Sequence, residues 1–68
     1  MDIERLHYMA NQIARNLASQ GEVQAIEGTA KHIHDFWDRR MKAMILEDAE
    51  SAEPVVKSAL RRLLELER

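Results

Sequence analysis

Ile3, Leu6, Ala10, Ile13 and Leu17 recur at spacings of three and four, and Val23, Ile26, Ala30, Ile33 and Trp37 repeat the pattern beyond Gly21. Residues three or four apart lie one helical turn from each other, so each set forms a single apolar stripe, whereas a strand would scatter it over both faces. The pattern confines the chain to helices. Only two Gly and one Pro interrupt it. The spacing predicts helices over about 2–19 and 22–37, with Gly21 as the stop of the first and Gly28 as a weak point inside the second. Asp38 carries the short carboxylate of an N-cap and predicts a third helix over about 39–49. Glu50-Ser51-Ala52-Glu53 is a linker, and Pro54, tolerated in a first helical turn, opens a last helix over about 54–67. The expected fold class is all-α: a small three- to four-helix bundle, one domain over residues 1–68. In it the first two helices form an antiparallel hairpin and the last covers their shared groove.

A chain of 68 residues without cysteine has neither a disulfide nor a zinc–thiolate cluster to support its core. A domain of this size buries only about 60% of its unfolded surface, so a partner surface is expected. Ten Lys and Arg against twelve Asp and Glu leave a net charge of -2, which lacks the basic excess that nucleic acid favours. No apolar run approaches the ~20 residues of a membrane span, and Met1-Asp2-Ile3-Glu4 is not the basic start of a secretory signal. The chain reads as soluble and cytoplasmic.

Motifs that carry catalysis are missing. There is no Gly-rich phosphate loop and no Gly-x-Ser-x-Gly turn. His32 and His34 fall on different sides of one helix, and His34 with Asp38 has ligand spacing but no third ligand. The carboxylates have no enclosing pocket to shift them toward acid–base work. The chain by itself is expected not to be an enzyme, and to bind no cofactor or metal.

The residues left over after the core is filled point to contact surfaces. Tyr8 faces away from the first stripe, with Asn11 near it, and reads either as a scattered surface residue or as an interface anchor. Phe36 and Trp37 are neighbours and diverge by about 100°, so the stripe aims Trp37 inward and leaves Phe36 on the flank beside His32. These aromatics read either as the end of a small core or, with Arg39, Arg40 and Met41, as a recognition corner. Arg39, Arg40 and Lys42 otherwise read as a solvated face, and they, or Arg61 and Arg62, as the basic surface of a small helix-turn-helix nucleic-acid binder. From Val55 to Leu66 the apolar residues span about 180° of the last helix, more than one core face needs. The surplus serves a partner, a second copy of the chain, or a central position in its own bundle.

Two segments carry a resemblance. Met9-Ala10-Asn11-Gln12-Ile13-Ala14 and Ala30-Lys31-His32-Ile33-His34-Asp35-Phe36-Trp37-Asp38-Arg39-Arg40-Met41, with Glu53-Pro54-Val55-Val56 and Ala59-Leu60, resemble the delta subunit of soluble NAD-dependent formate dehydrogenases. The string from His32 to Met41 is the most specific part. It departs from the family at Arg39, where Pro is usual. The resemblance implies a non-catalytic subunit of a cytoplasmic complex that oxidises formate and reduces NAD, in which the large alpha subunit holds a molybdenum or tungsten pterin. Iron–sulfur clusters and flavin belong to other subunits, and this chain joins alpha, beta and gamma partners. A transient assembly factor for pterin insertion would use the same surface. The expected partner-binding residues are Tyr8, Asn11, His32, Phe36, Trp37, Arg39, Arg40 and Met41.

Overall fold

A computed structural model describes residues 2–68, which form four α-helices: α1 (Ile3–Leu17), α2 (Glu22–Phe36), α3 (Arg39–Glu47) and α4 (Pro54–Leu66). Single 3-10 turns at Ala18–Gln20 and Ala49–Ser51 complete the path, and no strand occurs among the described residues. The starts follow from local chemistry. Asp2 accepts a hydrogen bond from the Arg5 amide at 2.8 Å, and Asp38 accepts one from the Met41 amide at 2.9 Å, so α1 and α3 each open on a carboxylate cap. Pro54 supplies the first turn of α4.

The ends come earlier than the apolar spacing implies. α1 tightens into a 3-10 turn after Leu17, and Gly21 at φ +100° reverses the chain in a region that L side chains rarely adopt. α3 stops at Glu47: the backbone leaves helical geometry at Asp48 (φ −112°, ψ 25°), whose amide donates to the Ile45 carbonyl at 3.1 Å, while its carboxylate accepts from His7 Nε2 at 2.9 Å and from the Ser51 hydroxyl at 3.2 Å.

α1 and α2 run antiparallel, with Leu17 against Gly28 and Ile13 near His32. α2 and α4 run parallel: Ala25 lies near Val55 and Val56 at one end, Glu27 pairs with Arg62 midway, and His34 meets Glu67 at the other end. α3 and the second 3-10 turn form the crossover that a parallel pair requires. The expectation that α4 covers the α1–α2 groove is corrected accordingly. α4 packs far more extensively on α2 than on α1, and α2 is the central helix.

The core joins Leu6, Ala10 and Ala14 of α1, Ile33 of α2, Trp37, Ile45 of α3, and Val56, Leu60 and Leu63 of α4. Because α2 is packed on two sides, its inner residues are Ala25, Thr29, Ala30 and Ile33. Val23, two positions before Ala25 and so about 200° around the helix, is 73% exposed and drops out of the expected stripe. The broad apolar arc of α4 is mostly used within the bundle, leaving only Leu64 more than half exposed. Gly28 does not break α2; its bare Cα receives the Leu17 side chain. No described helix is long and apolar enough to cross a membrane.

Candidate docking surface

The turn from α2 into α3 holds the most exposed large aromatic in the chain. Trp37 is anchored in the core at 5% exposure, and its predecessor Phe36, about 100° away around the helix, is thereby pushed outward to 74% exposure. The His32 ring meets Phe36 one turn earlier, with centroids 4.9 Å apart and planes tilted by 43°. Asp38 then caps α3. This fixes the start of a helix whose inner residue is Ile45 and whose outer residues include Arg39 and Arg40, both exposed. Met41 lies between the two environments, half-buried against the edge of the core.

Beside this corner a shallow groove runs between α1 and α2, lined by Ile13, Asn16, Leu17, Gly28 and His32. His32 borders both features. The sequence gives no sign of the groove, because it forms only when the flanks of two helices meet.

The other expected residues lie elsewhere. Tyr8 is 58% exposed, but about 140° around α1 from Ile13, so it does not join the Phe36 corner. Asn11 is half-buried rather than displayed beside Tyr8. It lines a hollow of about 380 Å³ at the junction of α1, α2 and the start of α4, together with Ala14, Ala25, Pro54 and Val56, and its Oδ1 has no hydrogen-bond partner. The start of α4 lines the same hollow, an approach invisible in the periodicity of α1. Trp37 also needs correction as a surface residue: its ring belongs to the core and positions Phe36 without being presented itself. The arrangement thus yields one corner of His32, Phe36, Arg39, Arg40 and Met41, with Tyr8 and Asn11 on a different side of the molecule.

Charged groups around the corner are largely committed within the chain. Lys31 pairs with Asp35 at 3.1 Å, and Lys42 donates to Glu67 at 2.9 Å. Hydrogen bonds from Lys42 and His34 hold the Glu67 carboxyl below its ordinary range. On the opposite flank Arg62 Nε donates to both Glu27 oxygens at 3.0 and 2.9 Å, and these bonds with one to Glu65 raise its already high pKa. His34 therefore turns to Glu67, not to Asp38. Among the described residues no three His, Asp or Glu side chains converge as metal ligands.

Comparison with known families matches residues 5–62, from α1 well into α4, to the family described as NADH-dependant formate dehydrogenase delta subunit FdsD. Neither a curated protein nor a solved structure matches the chain.

Proposed function

The chain belongs to the FdsD family of formate dehydrogenase delta subunits, and from that premise we propose that it is a non-catalytic small subunit of a cytoplasmic NAD-dependent formate dehydrogenase. It docks on the large alpha subunit and stabilises the assembly, while the pterin-bound molybdenum or tungsten, the iron–sulfur clusters and the flavin reside on its alpha, beta and gamma partners. Its own donor set does not fit an iron–sulfur cluster, since the chain has no cysteine. Phe36, Arg40 and Met41 anchor the contact.

The observation that carries this reading is the exposed Phe36. A small domain gains little by displaying an aromatic in water, and aromatic and Arg side chains held rigidly dominate protein interfaces. By linkage, a partner that binds only the folded chain stabilises that fold in return. Affinity purification of the tagged chain from its native cells, with subunit stoichiometry and formate-dependent NAD reduction measured on the eluate, tests the reading. Stoichiometric recovery with active enzyme supports a permanent subunit. Recovery with only cofactor-free large subunit replaces it with an assembly factor, and recovery of the chain alone overturns it.

A further inference from the structure

Arg39 and Arg40 occupy the first turn of α3, where the exposed amides give the helix its positive end, and that turn contains no acidic residue. The Asp38 carboxylate at the N-cap offsets that end, accepting from the Met41 amide at 2.9 Å while keeping its charge. Asp35 is paired with Lys31 at 3.1 Å, and neither arginine forms an ion pair among the described residues. Two exposed arginines free of a fixed carboxylate partner therefore stand within four residues of a 74% exposed Phe36. Arginines beside a displayed aromatic are the composition of an interface anchor, and their charge selects an acidic counterpart.

We infer that this corner is recognised by an apolar pocket rimmed with carboxylates on another subunit of the complex. The inference rests on the subunit reading above and adds the chemistry of the complementary surface. Phe36 fills the pocket. Arg39 and Arg40 meet Asp or Glu side chains at its edge. The corner is preorganised, because Trp37 is buried at 5% exposure on one side of the turn and the Asp38 cap fixes the other, so little freedom is lost on docking. Charges at the rim act chiefly on the rate of encounter and give binding a steep dependence on salt.

The test measures binding of the full chain, immobilised, to the purified remaining subunits over a series of sodium chloride concentrations. The wild type is compared with Phe36→Ala, the double variant Arg39→Glu/Arg40→Glu, and Val23→Ala, which removes exposed apolar surface elsewhere; circular dichroism confirms that each is folded. The expected result is at least about a tenfold weaker affinity for Phe36→Ala and for the double charge reversal, with Val23→Ala unchanged. Salt weakens the wild type, whereas the double reversal loses or inverts that dependence. Wild-type binding that neither corner variant alters, or that salt does not affect, overturns this inference and leaves the subunit reading standing. Failure of the wild type to bind any subunit overturns both. Salt-sensitive binding of duplex DNA that the charge reversal abolishes, without loss of subunit affinity, overturns the inference in favour of nucleic acid.

Discussion

Gly28→Ala probes the packing of α1 on α2 at one atom pair. A Cβ added at this position would lie 2.5 Å from Leu17 Cδ1, while Leu17 Cγ and Cδ2 remain at 3.6 and 3.7 Å. One methyl must therefore move. Alanine in a helix interior is favoured over glycine by about 0.8–1.0 kcal/mol. Against this, the atom in the way is the far end of a flexible, half-buried side chain beside an open groove, and shifting it costs about 0.5 kcal/mol. The propensity gain wins, and Gly28→Ala alone is expected to stabilise the chain by about 0.3–0.5 kcal/mol. In a Leu17→Ala background the obstructing methyl is gone, and the same substitution should stabilise by about 0.8–1.0 kcal/mol. The cycle therefore predicts a coupling of about 0.5 kcal/mol. Urea unfolding followed by the fluorescence of Trp37, buried at 5% exposure, measures all four corners of the cycle. Equal stabilisation by Gly28→Ala in both backgrounds would refute the argument, because it would mean that Leu17 does not occupy the space of the missing side chain.

The Thr29 hydroxyl is fully buried without a hydrogen-bond partner, so Thr29→Val should raise stability by about 1 kcal/mol in urea titration; a loss would reveal an unseen partner for the hydroxyl. Arg39→Pro places proline in the first turn of α3, directly after Asp38 at φ −77° and ψ 172°, an extended conformation suited to the residue before proline. Thermal unfolding should show a gain of about 0.4–1 kcal/mol, and a loss would show that the Arg39 amide is needed. Glu67 titrates below the ordinary carboxylate range because of Lys42 and His34. Its contribution is complete above the unfolded carboxylate pKa of about 4.3 and disappears as pH falls through the lower folded value. Urea midpoints measured downward from about pH 6 should therefore fall less steeply for Glu67→Gln than for the wild type, and parallel curves would argue against the cluster.

Elements were legible in the sequence where one helix decides the outcome by itself. The two apolar stripes, the Asp38 cap and Pro54 each act within a turn or two, and Asp38 and Pro54 lie at or within a residue of a helix start. Relations between helices were hidden. Nothing in the periodicity of α2 and α4 says that they run parallel, since a stripe has the same spacing in either direction. Gly28 looks like a weakness in its own helix and acquires its purpose only from Leu17, eleven positions earlier. Val23 fits a single stripe, but α2 has two packed faces whose shared centre lies nearer Thr29 and Ala30. The candidate corner divides the same way. Exposure of Phe36 follows from its divergence from Trp37, a local matter, whereas the hollow that Asn11 lines is completed by the start of α4, more than forty residues away.

Placing the contact at the α2–α3 turn connects surface to core through a single residue. Phe36 and Asp38 flank Trp37, so a partner that holds Phe36 and Arg40 also restrains the backbone on both sides of a core anchor. Exposing Trp37 requires that stretch to open, and a bound partner opposes the opening. A ligand present at a hundred times its Kd adds about 2.7 kcal/mol to the stability of the form it binds. A domain of this size is stable by roughly 3–10 kcal/mol in all. Docking at the corner would thus contribute a substantial fraction of the fold's stability in the assembled enzyme. The sequence can then retain a phenylalanine in water, at a cost borne only by the free chain.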